Sequence, residues 1–299
     1  MGLLKRFIYI SGSFVLIAVV ALWFVVRASL PQLNGERALP GLAGPVHISR
    51  DDMGVVTVRA TKRRDGALAT GFVHAQERFF QMDLMRRLAA GELAALVGEA
   101  AADHDMRQRV HRMRSVARQV MLGSDESERE IIAAYAAGVN AGLEALSVRP
   151  FEYLILRQPP SPWLAEDTVL VVLAMYFRLH DERAGRESVL GRLHEALPPP
   201  MYAFLTQAGT PWDAPLVGDA MISLPVPGAA VCDLRRVQRK PLTDGSQLAS
   251  TGLEEVTSVG SNAWAVSPLR TRDRVAIVAN DMHLALSMPN TWFRLRLQV

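Results

Sequence analysis

The sequence predicts a protein of the α+β class that begins with a membrane-spanning helix. Three features lead to this prediction. Residues 7–26 form an uncharged apolar run, residues 65–96 carry apolar side chains at helical spacing, and residues 261–279 contain two apolar runs of strand length. Long helical segments and short hairpins within one chain are typical of the α+β class.

The composition indicates a globular protein with a sizeable core. Hydrophobic residues make up 49% of the 299 residues and charged residues 21%, which excludes a disordered chain. The 33 basic and 30 acidic residues nearly balance, so no nucleic-acid partner is predicted. Cys232 is the single cysteine, which excludes an internal disulfide and a cysteine-based metal site.

Residues 1–30 are interpreted as a signal anchor. Lys5 and Arg6 precede the run of 20 uncharged residues from 7 to 26, which is long enough to cross a hydrocarbon core of about 30 Å. Cleavable signal peptides usually have an apolar region of roughly 7–15 residues, so an uncleaved anchor is favoured over a removed signal. Positive residues stay in the cytoplasm, and the rest of the chain is therefore expected in the periplasm, anchored to the inner membrane or secreted.

Residues 31–222 form a mainly helical region that starts with a hairpin. Alternating β-rich runs at 45–50 and 55–60 flank a turn, and helical spacing extends from Asp65 to Leu96 with Gly98 as the expected end. A second helix is predicted over 125–146.

Two further features of this region concern its packing. The apolar run 168–179 is too short to span a bilayer and is interpreted as a buried helix. Asp83, Arg86 and Arg87 are expected to form i,i+3 and i,i+4 ion pairs on a solvated face, with a structural rather than a catalytic role.

Residues 223–260 contain several prolines and glycines and show little hydrophobic periodicity. This segment is interpreted as a linker. The strand that begins at Ser261 and the second apolar run at 275–279 then predict a hairpin. This hairpin would bring Ser261 and His283 to one end, where they could face each other. An ordinary hairpin with a serine in a loop is the alternative.

Two stretches resemble the penicillin acylase (penicillin amidase) family of N-terminal nucleophile hydrolases. The first is Gly71-Phe-Val-His-Ala-Gln-Glu-Arg-Phe-Phe-Gln-Met-Asp-Leu-Met-Arg-Arg, with flanking matches at 50–55 and 91–98; the second is Gly260-Ser-Asn-Ala-Trp-Ala-Val, followed by residues 279–284. The resemblance implies an αββα four-layer sandwich. Residues 31–222 would be the α-chain, 223–260 a removable spacer, and 261–299 the start of a β-chain.

The resemblance also implies a mechanism. Self-cleavage between Gly260 and Ser261 would give Ser261 a free α-amine, whose reference pKa near 7.7–8.0 suits a general base. One residue would then supply nucleophile and base for hydrolysis of a linear amide in a β-lactam, an N-acyl homoserine lactone or a related acylated amine. His283 is interpreted as a supporting residue, with a polar residue at a strand end as the alternative.

Three further residues take a role only from the resemblance. Met175 and Leu179 would line the substrate pocket, although core packing explains each of them equally well. Glu187 would be a ligand of a structural calcium ion, with a solvated glutamate as the alternative, because calcium takes six to eight oxygens and one carboxylate is not enough. No organic cofactor is expected.

The remaining functional groups are expected beyond Val299. They include the oxyanion-hole groups, the other calcium ligands and the rest of the β-chain, with which an αβ heterodimer would form. The 299 residues alone are therefore expected to be an inactive fragment. The competing interpretation is a membrane-anchored periplasmic relic that kept the fold and lost the activity.

Overall fold

In the computed structural model, the described residues are 2–180, 184–213, 215, 217–231, 233, 235, 260–284 and 286–299. Their contacts divide the chain into two compact units, one of Met1–Phe177 with Leu286–Val299 and the other of Arg178–Ala285. Residues 236–259 of the expected spacer lie outside the described residues.

Helices and strands are both present, as the α+β prediction requires. The helices are α1 (Gly2–Ala28), α2 (Arg63–Ala90), α3 (Ala94–Val97), α4 (Ala102–Arg109), α5 (Met113–Gly123), α6 (Glu126–Glu144), α7 (Phe151–Ile155), α8 (Ala165–Leu179), α9 (Gly185–Ala196) and α10 (Pro199–Leu205). The strands are β1 (His47–Arg50), β2 (Val56–Arg59), β3 (Gly260–Val266), β4 (Ile277–His283) and β5 (Leu295–Gln298).

The N-terminal helix α1 is long and apolar enough to cross a membrane. Residues Tyr9–Ala28 form a candidate span of 20 residues with a mean hydropathy of 2.4, none of which is buried within the described chain. A membrane anchor and a signal sequence both have these properties.

The predicted N-terminal hairpin is confirmed. β1 and β2 pair in antiparallel register, and β5 adds to β2 in parallel, giving the order β1-β2-β5. Val56 and Val58, alternate residues of β2, are fully buried and pack on Ala69 and Val73 of α2. The sheet is therefore joined to the helices by one face of its central strand.

Helix α2 ends earlier than predicted. Gly91 adopts a left-handed conformation with φ of 67°, which terminates the helix. A new helix, α3, then begins, and the Asp105 carboxylate accepts from the N–H groups of Leu93 and Ala94 at 2.9 and 2.7 Å. The expectation of one helix from Asp65 to Leu96 is wrong, because apolar spacing continues across this glycine.

Helices α2 and α6 approach closely at glycines. A Cβ placed on Gly138 would lie 1.9 Å from the Leu68 carbonyl oxygen, and one on Gly142 would lie 2.3 Å from that of Phe72. The backbones therefore touch at positions where only glycine fits.

The prediction of a helix over 125–146 is confirmed, and the Asp125 carboxylate caps it by accepting from the Glu128 N–H at 2.8 Å.

The helix predicted over 168–179 is part of α8, but only one of its faces is buried. Leu170, Ala174 and Phe177 lie in the core, whereas Val172 is 67% exposed. The expectation of a buried helix is thus right for one face only. Uniform apolar composition did not reveal which face packs inward.

The charged side chains of α2 lie inside the protein. Asp83 is fully buried and Arg86 is 4% exposed. The Arg86 guanidinium donates to Asp83 at 2.7 Å and to Asp167 of α8 at 2.5 Å, and Arg87 donates to Asp83 at 2.9 Å. The predicted ion pairs are confirmed, and their predicted placement on a solvated face is wrong.

Neutral groups complete the surroundings of these charges. Arg86 also donates to the Ser161 carbonyl at 3.0 Å and lies 4.9 Å from the centre of the Trp163 ring. The second Asp83 oxygen accepts from the Tyr153 hydroxyl at 2.6 Å. Burial and the Asp83 carboxylate hold the pKa of Tyr153 above its usual value, so it stays a donor. Buried charges of this kind are tolerated because each is paired and hydrogen-bonded.

His74 is a residue of α2 that packs against α6 and the C-terminal segment. Its Nδ1 is 2.8 Å from the Tyr135 hydroxyl, and its ring centre is 4.7 Å from that of Phe293. Burial, with the charge of Arg78 as a second cause, lowers the pKa of His74 from 6.5 to about 4. Burial raises the pKa of Tyr135, so a protonated hydroxyl and a neutral imidazole share this hydrogen bond.

We expect Gly138→Ala to lower the free energy of unfolding by at least about 2 kcal/mol, because the new methyl group collides with backbone. Urea unfolding measures this change. Gly191→Ala in α9 is the matched control, since nothing lies within 4 Å of a Cβ there, and it should stabilise by about 0.5–1 kcal/mol. Equal effects of the two substitutions would contradict the close helix contact.

Replacing Arg86 by methionine should destabilise the protein by about 3–5 kcal/mol, because the buried carboxylates of Asp83 and Asp167 each lose the closer of their two cations. Arg118→Met is the control, since this arginine is 62% exposed and pairs with Glu166 at 3.3 Å; its loss should cost less than about 1 kcal/mol. Thermal unfolding compares the two variants. A small effect at Arg86 would show that the pairing contributes little.

Stability should fall as the pH drops from 6.5 toward 4. In this window the unfolded chain takes up a proton at His74 that the folded protein does not, which corresponds to a loss of up to roughly 3 kcal/mol. The double variant His74→Phe, Tyr135→Phe should lose this component of the pH dependence, whereas His47→Gln, at an exposed histidine, should retain it. Urea unfolding at several pH values tests this, and an unchanged slope in the double variant would refute it.

Candidate active site

The predicted hairpin around the candidate nucleophile is confirmed. Strands β3 and β4 pair in antiparallel register, with Gly260 opposite His283 and Ser261 opposite Met282. The junction between Gly260 and Ser261 is therefore the first peptide bond of β3, at the hairpin end where β4 finishes.

Ser261 and His283 nevertheless lie on opposite faces of this hairpin. Directly opposed residues share a face and successive residues alternate, so Ser261 shares its face with Met282. The His283 side chain lies on the other face, where its Nε2 is 3.0 Å from Asp281 Oδ2. The two residues are thus brought to the same end of the hairpin, but the expected face-to-face arrangement is not present in this register.

Both faces of the hairpin carry apolar side chains that the described residues do not cover. Trp264 on one face is 55% exposed, and Val278 on the other is 76% exposed. Two-stranded hairpins are marginally stable on their own. Exposed apolar surface on both sides is typical of strands that pack against further structure.

The candidate pocket residues lie on α8. Met175 is partly buried and Leu179 is exposed. Neither lines either of two cavities, of about 560 and 570 Å³, that lie along α2. Their role in substrate binding stays a prediction.

Glu187 lies exposed in the first turn of α9. Within the part of the chain that the structure describes, no group of three or more histidine, cysteine, aspartate or glutamate side chains could hold a metal ion. One carboxylate supplies at most two of the six to eight oxygens that calcium takes. The calcium-binding role of Glu187 therefore stays a prediction.

Gln76 is a polar residue that sequence reasoning did not single out. It lines both cavities, and its side-chain Nε2 is buried without a hydrogen-bond partner among the described residues. No local signal marks it, because Gln76 falls among other polar residues in the helical pattern of α2.

Comparisons with known proteins agree with the motifs. The penicillin amidase family model matches residues 45–299. Penicillin acylase 2 proenzyme from Pseudomonas sp. (strain SE83) is 32% identical over 272 residues, which cover 89% of this chain and 34% of that protein. Acyl-homoserine lactone acylase QuiP from Pseudomonas aeruginosa is 30% identical over 270 residues, covering 88% and 30%.

A solved structure is also similar, the thermostable penicillin G acylase from Alcaligenes faecalis, at 26% identity and a TM-score of 0.47, covering 59% of this chain and 98% of that chain. The chain spans about a third of the length of the curated relatives it matches. Because the family model covers all but the first 44 residues, the chain belongs to the penicillin amidase family.

Proposed function

We propose that this chain contributes the α-chain and the nucleophile region of an acylase that hydrolyses a linear amide to a carboxylic acid and an amine. The observation that carries the proposal is the Gly260–Ser261 junction at the head of β3, inside the family match. The similar proteins are named as acylases, and one of them as a proenzyme. Ser261 is the proposed nucleophile.

The first step is self-cleavage. Ser261 Oγ attacks the Gly260 carbonyl, the peptide nitrogen leaves as the new α-amine, and water then hydrolyses the resulting ester. Glycine suits this position because it tolerates the strained backbone that the attack requires. The serine oxygen and a neighbouring base then belong to the same residue.

Turnover follows the same chemistry. The α-amine accepts the Oγ proton, directly or through a water, while Oγ attacks the amide carbonyl of the substrate. The amine product leaves with a proton and an ester to Ser261 remains. Water hydrolyses this ester, releasing the carboxylic acid and restoring the serine.

His283 supports the amine only after a rearrangement. Before cleavage it lies opposite Gly260, on the face away from Ser261, beside Asp281. Cleavage separates Gly260 from Ser261, so the new terminus loses the constraint that fixes its face. We therefore propose that His283 approaches Ser261 in the processed protein.

The two products of cleavage are proposed to stay together as an αβ heterodimer within an αββα sandwich. β5, which follows the cleavage point, pairs with β2, which precedes it. Arg78 and Gln81 of α2 also donate to the Asn290 carbonyl at 2.9 and 3.2 Å. The uncovered faces of the β3–β4 hairpin fit strands that pack between further layers.

The proposed substrate is an acylated amine such as a β-lactam or an N-acyl homoserine lactone, the two classes that the names of the similar proteins mention. Met175 and Leu179 are proposed to contact its acyl group. Glu187 binds calcium only if further ligands join it. The apolar helix α1 supports export, and we propose a periplasmic enzyme anchored by this helix.

Ser261→Ala in the full-length protein should leave an uncleaved precursor without measurable amide hydrolysis, because one oxygen serves both attacks. Ser261→Cys should still be cleaved but turn over poorly. Gel electrophoresis and assays with penicillin G and an N-acyl homoserine lactone measure the two effects.

Ser287→Ala is the control for these variants, because it removes an exposed hydroxyl in the same region and should leave cleavage and activity intact. Hydrolysis by the Ser261→Ala variant would refute the nucleophile. A wild-type protein that neither cleaves itself nor hydrolyses any amide would favour the non-catalytic relic.

A further inference from the structure

We propose that a small apolar surface beside the end of α1 lies in the headgroup region of the bilayer. This surface, the junction patch, consists of Leu30, Phe151 and Ile155. The inference rests on the proposed anchoring by α1. It goes further, because it makes the α-chain body itself a membrane-contacting domain with a fixed orientation.

The end of α1 is attached directly to the body. The Ala28 carbonyl accepts from the Val148 N–H at 3.2 Å. Ser29 is buried, and its hydroxyl donates to the Val26 carbonyl at 2.7 Å. The candidate membrane span ends at Ala28, so the body begins where the hydrocarbon core would end.

The patch lies close to this point of attachment. Phe151 follows Val148 by three residues, which limits their separation to roughly 11 Å. Leu30 and Phe151 line the same cavity, and Ile155 follows Phe151 by four residues on one face of α7. The headgroup region of a bilayer is itself about 5–8 Å deep on each side, which is the same scale as this upper limit, and the proposal places the patch in that layer.

The chemistry of the patch suits a lipid interface. Leu30, Phe151 and Ile155 are 56%, 45% and 73% exposed. Arg149 and Arg157 flank α7 in sequence and Glu152 lies within it, so the apolar side chains are accompanied by a net positive charge, which favours anionic bilayer surfaces. Inside the last turns of α1, Arg27 stacks 5.4 Å from the Trp23 ring, and both residue types are common at membrane interfaces.

Site-specific fluorescence tests the patch. In full-length protein whose native cysteines, Cys232 among them, are replaced by serine, a polarity-sensitive thiol-reactive dye is placed at Ile155→Cys. The protein is then reconstituted in phosphatidylcholine–phosphatidylglycerol vesicles. Lipids with a nitroxide on the headgroup act as quenchers. The dye at Ile155 should lose most of its emission.

Leu122→Cys is the matched control. Leu122 is 81% exposed and lies just before α6, whose 19 residues separate it from the junction by roughly 27 Å. A dye there should keep its emission. Equal quenching at the two positions, or no quenching at Ile155 in protein that stays with the vesicles, would overturn the junction patch while leaving the anchor and the acylase function in place.

Protein recovered free of the vesicles, with an N-terminus at or beyond Ala28, would instead overturn the anchoring on which the patch rests. A dye at Ile155 that reports an apolar environment without any lipid quenching would show that protein covers the patch, and would also overturn the inference. Amide hydrolysis measured on the same samples separates these outcomes from a failure of the proposed reaction.

Discussion

The close approach of α2 to α6 is the constraint on which the rest of the first unit depends. Gly138 and Gly142 let the two backbones touch, which fixes both the distance between the helices and their rotation. With α2 held in this way, Arg86 points at Asp167 and His74 points at Tyr135. The His74–Tyr135 hydrogen bond therefore follows from the helix contact, whereas the buried charges also depend on Asp83 within α2 and on Asp167 of α8.

The two segments that follow the proposed cleavage point have different surroundings among the described residues. The segment 286–299 is attached to α2 and β2 by a strand pairing and by hydrogen bonds from Arg78. The hairpin that carries Ser261 has its own ladder and apolar faces that the described residues leave uncovered. This contrast agrees with the share of the relatives that the chain spans, about a third. The residues present build a supporting helical body, and the proposed chemistry needs further packing around the nucleophile.

Local patterns predicted much of this structure. Short apolar runs of strand length predicted both hairpins, and Asp125 marked the start of α6. These predictions succeeded because each depends on residues that lie close together in the sequence. Contacts between residues distant in sequence could not be predicted from local patterns. Asp167 lies 81 positions from Arg86, so no nearby residue indicates that this arginine is buried. The relation of Ser261 to His283 failed for another reason, since a shift of one residue in register exchanges the two faces of a strand.

The central claim is that Ser261 becomes the N-terminus of a separate chain. N-terminal sequencing of the fragments of purified full-length protein, combined with their intact masses, tests it most directly. Our account predicts a fragment that begins with Ser261 and remains associated with the preceding chain. A second fragment beginning at any other residue, or full activity in a protein that is never cleaved, would contradict it.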